Sequence, residues 1–192
     1  MEVDEPRLTN EEIAALARRI DRPIVLVGMM GVGKSSVGKR LAAALGLPFI
    51  DADEAIEEAA KMSIPEIFAT YGEPNFRDGE RRVIARLIDS EGHQPKVIAT
   101  GGGAFVNEQT RALILDKAIP VWLDSDVETL FERVGRKRNR PLLREGDPRE
   151  ILTRLRDERE PFYAQAPIKV ISGPGPHGQT LERVLKGIES WL

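Results

Sequence analysis

The sequence contains no cysteine, which excludes disulfide bonds and thiolate-ligated metal sites and favours a reducing, cytoplasmic location. No run approaches the roughly 20 consecutive apolar residues that a bilayer-spanning helix requires. The acidic first residues lack the basic start and apolar core of a signal peptide. The formal net charge of -3 shows none of the basic surplus typical of nucleic-acid-binding proteins. We therefore expect neither a membrane nor a nucleic acid as a partner.

The apolar residues fall into short β-branched runs that alternate with segments of helical periodicity, and no internal repeat is present. A chain of 192 residues is well within the size of one domain. The predicted strands lie at 24–27, 49–51, 97–100, 119–123 and 168–171. Among the predicted helices, one ends at Gly46, one begins near Asp53, one begins at Ser63 and Glu66, which have capping spacing, and a longer one spans about 73–89. Strands that alternate with helices predict an α/β fold, in which helices cover both faces of a parallel sheet. Ligands of such sheets bind at the carboxyl ends of the strands.

A helix is also predicted before the first strand, over residues 9–20. Thr9 and Glu12 have the spacing of a capping box, and Ile13, Leu16 and Ile20 belong to one apolar stripe. We assign residues 1–22 to an N-terminal helical extension and 23–192 to a single domain.

The stretch GMMGVGKSS follows the first strand and precedes a predicted helix. Gly28, Gly33, Lys34 and Ser35 complete the phosphate-loop pattern G-x-x-x-x-G-K-[ST] in the strand–loop–helix context that this pattern requires. In such a loop, backbone N–H groups surround phosphate oxygens, the lysine reaches the β- and γ-phosphates, and the hydroxyl ligates Mg²⁺. We expect the nucleotide to contact Gly31, Val32, Gly33, Lys34, Ser35 and Ser36.

Other features narrow the class of phosphate-loop protein. The N-K-x-D element that reads guanine is missing, and the D-x-x-G match at 89–92 follows a predicted helix rather than a strand. The third strand ends in Thr100-Gly101 without an acidic residue. The carboxylate that assists Mg²⁺ must therefore come from elsewhere, and Asp51 and Asp53 after the second strand can supply it.

Asp51 and Asp53 lie two residues apart at a strand end. One can face the metal while the other orients a substrate hydroxyl and accepts its proton during phosphoryl transfer. The alternative for Asp53 is N-capping of the following helix, a position that aspartate favours. The two roles do not exclude each other.

Two arginines and a glycine turn point to an anionic acceptor. Arg77 in NFRDGE and Arg159 in DEREPFY each lie beside an aromatic residue and acids, and a guanidinium group suits a planar carboxylate or phosphate. The alternative for each arginine is plain exposure to solvent. Three successive glycines, Gly101, Gly102 and Gly103, favour close approach of a ligand to the backbone, although a flexible turn is the alternative.

The segment 133–144 is rich in arginine and lysine. It contains no interleaved aromatic residues that would support stacking on nucleic-acid bases. The other interpretations are a solvated surface and a lid whose arginines close over ATP and neutralise charge in the transition state.

Six motifs in order and at fitting separations resemble the shikimate kinase family: GMMGVGKSS, FIDADEAIE, FRDGE, ATGGGA, RNRPLL and REPFY. The resemblance runs from about residue 24 to the C-terminus. It implies the nucleoside monophosphate kinase fold, with a five-stranded parallel sheet in the order 2-3-1-4-5. It also implies transfer of the γ-phosphate of ATP to the 3-hydroxyl of shikimate, on the way to chorismate and the aromatic amino acids.

The resemblance implies roles on the acceptor side. Asp53 matches the acid that binds the ring hydroxyls and is the proposed catalytic base. Arg77 and Arg159 match the pair that grips the substrate carboxylate, and Glu80 matches the acid that helps to position them. The glycine turn 101–103 matches the backbone segment that contacts shikimate.

On the nucleotide side, the resemblance implies that Lys34 is catalytic, that Ser35 and Asp51 serve Mg²⁺, and that Arg133 lies near adenine. Arg140 matches the catalytic lid arginine, which also binds ATP. The shikimate-binding region is then about 51–90, the lid is about 134–147, and the chain is expected to be a monomer.

The sequence departs from the family pattern at three places. Ser36 stands where threonine is common, the adenine-side loop SGPGPHGQT does not align cleanly, and the helix at 9–20 lies outside the usual family core. Which of Pro174, Pro176 and His177 lies near the base is left open. The alternatives are a kinase for another hydroxy acid, such as gluconate, and a nucleotide-binding regulator without catalysis.

Overall fold

The computed structural model describes residues 7–90, 94–135 and 146–192. Its helices are α1 (Asn10–Arg19), α2 (Lys34–Leu45), α3 (Ala52–Ala60), α4 (Ile64–Asp89), α5 (Glu108–Lys117), α6 (Val127–Gly135), α7 (Pro148–Tyr163) and α8 (His177–Trp191). Its strands are β1 (Ile24–Val27), β2 (Phe49–Asp51), β3 (Val97–Ala99), β4 (Ile119–Asp124) and β5 (Ile168–Ile171). A 3₁₀ turn spans Ala104–Val106. Within these ranges no helix has the length and apolarity to cross a bilayer.

The strands form one parallel sheet in the order β2-β3-β1-β4-β5, which confirms the predicted fold class and strand order. Every residue of β1, β3 and β4 is buried, as expected for central strands covered on both faces. At one edge β5 alternates buried and exposed residues, and at the other β2 is half-buried. The carboxyl ends of all five strands therefore lie along one side of the sheet.

Local sequence signals determine where several helices begin and end. Thr9 with Glu12, and Ser63 with Glu66, form the two predicted capping boxes. Gly46 ends α2 in the left-handed conformation. Within α4, Gly72 has a φ of 78° and breaks the helical geometry, so that the predicted second helix from about residue 73 begins after a kink.

The helix before the first strand packs onto the sheet layer. Leu16 of α1 and Ile20, the C-cap residue after it, belong to the main hydrophobic core, and α1 lies beside α2. The backbone N–H of Leu8, just before α1, donates to Glu182 Oε1 of α8 over 2.6 Å. A second, smaller apolar cluster of Ile56, Ile67, Phe76 and Val83 joins α3 to α4.

Leu16 gives a direct test of whether α1 is part of the cooperative structure. Its side chain is 1% exposed, so Leu16→Ala should lower the free energy of unfolding by ~2–5 kcal/mol. Leu115 is 38% exposed, and Leu115→Ala should lower it by less than about 1 kcal/mol. Urea unfolding of both variants measures the difference. Equal, small losses would show that α1 unfolds independently of the core.

Candidate active site

A cleft of about 540 Å³ opens at the carboxyl ends of β1, β2 and β3. Five segments line it: the loop after β1 with the start of α2, the end of β2 with the start of α3, the turn after β3, the end of α6 and the loop before α8. The lining residues are Met30, Gly31, Gly33, Lys34, Ser35, Ser36, Asp51, Asp53, Thr100, Gly101, Gly102, Arg133, Pro174, Gly175, Pro176 and His177. The predicted phosphate loop and the Asp51–Asp53 pair therefore share one cavity.

The phosphate loop takes a conformation that needs glycine. Gly33 has a φ of 98° and is the N-cap residue of α2, where no side-chain cap is present. Gly28, with a φ of 141°, approaches the Leu123 carbonyl so closely that a Cβ atom would collide with it. The amino end of α2 therefore faces the cleft with backbone donors and the positive end of its dipole.

Lys34 is buried, and its ammonium group is held by the loop itself. Nζ donates to the Gly28 carbonyl over 2.6 Å and to the Met29 carbonyl over 2.9 Å. A buried ammonium group requires such acceptors, since burial without them is costly. The phosphate loop therefore places this positive charge beside its own backbone.

Asp51 links the phosphate loop to α3. Its Oδ2 atom accepts a hydrogen bond from Ser35 Oγ over 2.7 Å, and its Oδ1 atom accepts from the N–H groups of Asp53 at 2.9 Å and Glu54 at 3.3 Å. Asp51 is thus the N-cap residue of α3, so the alternative that Asp53 caps this helix is wrong. The physical reason is that the helix begins at Ala52, one residue earlier than the sequence pattern suggested.

The glycine turn after β3 brings the acceptor-side residues together. A Cβ atom on Gly101 would lie 2.9 Å from Asp53 Oδ1 and 3.5 Å from Glu80 Oε2. On Gly102 it would lie 3.0 Å from Arg159 Nη1, and on Gly103 it would collide with the guanidinium group of Arg77.

Three elements therefore converge on this turn. Asp53 comes from α3, Glu80 and Arg77 come from α4, and Arg159 comes from α7. Any larger residue in the turn would displace one of these charged groups.

Glu80 and Arg77 form an ion pair beneath the turn. Arg77 Nη1 donates to Glu80 Oε1 over 2.9 Å, and the Glu80 side chain is 1% exposed. Burial raises the pKa of Glu80 because it disfavours the charged carboxylate, while Arg77 opposes this effect. The nearby charge of Asp53 raises this pKa further, and that of Arg159 lowers it, so all four groups lie within electrostatic range.

Arg133 joins the phosphate loop to the loop before α8. Nη1 donates to the Val32 carbonyl at 2.9 Å and to Ser172 Oγ at 3.2 Å, and Nη2 donates to the Gly173 carbonyl at 2.6 Å. The Val32 side chain is fully buried. Val32, one of the expected nucleotide contacts, is not among the residues that line the cleft.

His177 lies over the phosphate loop at the start of α8. A Cβ atom on Gly33 would lie 3.1 Å from its Cε1 atom. Burial lowers the pKa of His177, and the charges of Arg133 and Arg40 lower it further, so the imidazole is neutral at pH 7. Among the described residues, its buried Nδ1 atom has no hydrogen-bond partner. The adenine-side loop therefore lines the cleft through residues 174–177 together.

Some site residues lie beyond the sequence predictions or outside the described ranges. Arg140 and most of the lid, 134–147, fall outside the described residues. Tyr163, whose hydroxyl contacts the Gly102 carbonyl, and Ser172, which binds the Val32 carbonyl, have no predicted role. Tyr163 ends the REPFY motif and Ser172 begins the SGPGPHGQT loop, so a signal was present for both residues.

Comparisons with known proteins agree with this geometry. A family model described as "Shikimate kinase" matches residues 30–189. The shikimate kinase of Novosphingobium aromaticivorans is 65% identical over 193 aligned positions, which cover all of both chains.

Solved structures agree as well. Shikimate kinase from Acinetobacter baumannii in complex with shikimate is 34% identical, with a TM-score of 0.84, and the match covers 91% of this chain and 97% of that one. A gluconokinase from Sinorhizobium meliloti is 19% identical, with a TM-score of 0.61 over 89% of this chain and 93% of that one, which shows a shared fold alone. The chain belongs to the shikimate kinase family.

Proposed function

We propose an assignment of residues to the reaction of this family, in which the γ-phosphoryl group of ATP is transferred to the 3-hydroxyl of shikimate. The products are ADP and shikimate 3-phosphate. The observation that carries the assignment is the convergence of Asp53, Glu80, Arg77 and Arg159 on the glycine turn, beside the phosphate loop. This arrangement offers one carboxylate to an alcohol and two guanidinium groups to an acid.

The phosphates of ATP bind to the loop residues 31–36. The backbone donors at the start of α2 face them, and Lys34 exchanges its two carbonyl acceptors for β- and γ-phosphate oxygens. A positive charge at this place stabilises the charge that develops on the transferring group and on the ADP leaving group.

Ser35 and Asp51 fit an Mg²⁺ ion that accompanies ATP. A hydroxyl and a carboxylate 2.7 Å apart at the cleft wall are hard oxygen ligands, and Mg²⁺ in kinases typically takes one or two such groups besides phosphate oxygens and water. The carboxylate is already oriented by its hydrogen bonds to α3. When bound, the ion would neutralise phosphate charge.

Asp53 acts as the general base. Its carboxylate lies against Gly101, at the cleft wall shared by the phosphate loop and the glycine turn. It accepts the proton of the 3-hydroxyl as the hydroxyl oxygen bonds to the γ-phosphorus and the bond to ADP breaks.

Arg77 and Arg159 bind the carboxylate of shikimate. A guanidinium fork forms two parallel hydrogen bonds with a carboxylate, which fixes the ring as well as holding it. Glu80 accepts from Nη1 of Arg77 and so orients that guanidinium group. With the carboxylate held at one end, the ring hydroxyls extend toward Asp53.

The remaining assignments follow from the motifs. Arg133 lies at the adenosine end of the cleft, next to residues 174–177. We assign Arg140 to the lid, 134–147, and the acceptor-binding residues Asp53, Arg77 and Glu80 to the region 51–90 of a single domain, 23–192, that the 1–22 extension precedes. We further propose that the enzyme acts as a cytoplasmic monomer.

An acceptor panel tests the proposed function directly. In a coupled ADP-release assay, shikimate should support turnover well above the rate without acceptor. Gluconate and quinate should give kcat/KM values at least about 100-fold lower. Gluconate is an open chain, and quinate has a saturated ring with an extra hydroxyl, so neither presents its carboxylate and hydroxyls as the flatter shikimate ring does. Preference for gluconate would favour the alternative sugar-acid kinase, and no acceptor-dependent turnover would favour a non-catalytic regulator.

Asp53→Asn tests the base. The amide keeps the size and a hydrogen bond but cannot accept the proton, so kcat should fall by about 10²–10⁴-fold. The KM for ATP should change by less than about threefold, since Asp53 faces the acceptor. Asp116→Asn, an exposed change on α5, is the matched control and should leave kcat unchanged. Normal turnover of Asp53→Asn would remove Asp53 from the chemistry.

Arg77→Ala tests the carboxylate anchor. Loss of a charge-assisted hydrogen bond of ~1.5–3 kcal/mol should raise the KM for shikimate about 10- to 100-fold. Arg81→Ala is the control on the same helix, because Arg81 pairs with Asp78 instead and should leave this KM unchanged.

Because Arg77 also pairs with buried Glu80, Arg77→Lys serves as a second variant that keeps the positive charge. It should fold normally and still bind shikimate less tightly. Wild-type shikimate KM in both variants would contradict the assignment.

A further inference from the structure

Tyr163 connects the last turn of α7 to the glycine turn. Its side chain is 1% exposed, and its hydroxyl donates a hydrogen bond to the Gly102 carbonyl, 61 positions away in the chain. The ring packs beside Trp122 of β4, with centroids 6.1 Å apart. The ring thus belongs to the core, while the hydroxyl extends to the turn that the acceptor-binding groups surround.

This hydrogen bond restricts a backbone that has few other restraints. Three successive glycines have no side chains to limit their φ and ψ angles. The Gly101 and Gly103 carbonyls accept backbone N–H groups of the following 3₁₀ turn, from Ala104 and Val106, each over 3.2 Å. The Gly102 carbonyl is instead held by a side chain of another element. In a planar trans peptide the C=O and N–H groups point in opposite directions. The bond to the Gly102 carbonyl therefore also fixes the direction of the Gly103 N–H.

Tyr163 and Arg159 lie one turn apart on α7 and meet the same glycine. Arg159 Nη1 lies 3.0 Å from the position of a Cβ atom on Gly102. Three residues earlier, Arg156 Nη2 binds both carboxylate oxygens of Asp124, at 3.3 and 3.2 Å. Arg156, Arg159 and Tyr163 thus share one face of α7, and Arg159 lies between two fixed contacts.

The phenol keeps its proton at neutral pH and so acts as the donor to Gly102. Burial raises the pKa of Tyr163, and the hydrogen bond and charge of Arg159 and the charge of Arg77 oppose this effect only in part. Because the hydroxyl donates its hydrogen bond to the Gly102 carbonyl, its oxygen can still accept a hydrogen bond from Arg159. The hydroxyl therefore binds the turn and keeps the capacity to accept from the guanidinium group of Arg159.

We propose that the Tyr163 hydroxyl is a positioning group for shikimate, which holds the Gly102–Gly103 peptide and the Arg159 guanidinium in the arrangement that receives the substrate carboxylate. This inference rests on the proposed function, because it requires Arg159 to bind that carboxylate. Tyr163 itself touches neither the phosphates nor the reacting hydroxyl. It acts through Gly102 and Arg159.

The first test removes the hydroxyl alone. Tyr163→Phe keeps the ring in the core, and the KM for shikimate should rise about tenfold while the KM for ATP stays within about twofold. Tyr71→Phe is a matched control, because Tyr71 is the only other tyrosine of the chain and is 56% exposed. The control should leave both KM values and the melting temperature unchanged.

Arg159→Ala distinguishes a failure of the proposed function from a failure of the Tyr163 proposal. This variant should weaken shikimate binding, and adding Tyr163→Phe to it should raise the KM much less than in the wild type, since the hydroxyl acts through Arg159. If Arg159→Ala binds shikimate normally, the proposed function is wrong. If Arg159→Ala binds weakly while Tyr163→Phe has a lower melting temperature and a wild-type shikimate KM, the hydroxyl is structural and this inference alone is wrong.

A second measurement needs no change at Tyr163. In the Tyr71→Phe protein, Tyr163 is the sole tyrosine, so biosynthetic 3-fluorotyrosine labels this position alone. Its fluorine resonance should shift when shikimate saturates the protein, and Arg159→Ala should abolish the shift. A resonance that does not respond to saturating shikimate would contradict the proposal even if Tyr163→Phe failed to fold.

Discussion

Asp53, Arg77 and Arg159 can meet at one turn only because Gly101, Gly102 and Gly103 have no side chains. A methyl group at any of these positions would occupy space that Asp53, Arg159 or Arg77 now fills. The three charged groups come from α3, α4 and α7, which are distant in sequence, and they meet because the turn between β3 and the 3₁₀ segment leaves room for them. The buried central strands fix the position of this glycine turn.

Charge compensation explains how so many ionisable groups share this small region. Glu80 is nearly inaccessible and would be costly to ionise alone, and the guanidinium group of Arg77 at 2.9 Å offsets that cost. Asp53 and Arg159 extend the alternation of signs around the glycines. An anionic acceptor adds one negative charge to a place where two arginines are already held. In the assignment that we propose, recognition of the acid and activation of the alcohol are thus electrostatically linked.

Sequence patterns predicted most of the fold and many of the residues that line the cleft. The sheet order came from a family resemblance, while capping boxes at Thr9 and Ser63 and the glycine at 46 marked helix ends through local chemistry. Patterns could not distinguish Asp51 from Asp53 as the helix cap, because both residues suit that position and only the backbone path decides. Nor could they assign Tyr163, whose role depends on a contact between residues 61 positions apart.

The two oxygens of Asp51 contact different parts of the enzyme. One holds the start of α3 through two backbone N–H groups, and the other faces the hydroxyl of Ser35. A substitution here alters the helix cap and the contact with the phosphate loop in the same event, so the two cannot be adjusted independently at this residue. Substitutions that raise the thermal stability of the enzyme must therefore lie elsewhere in the chain.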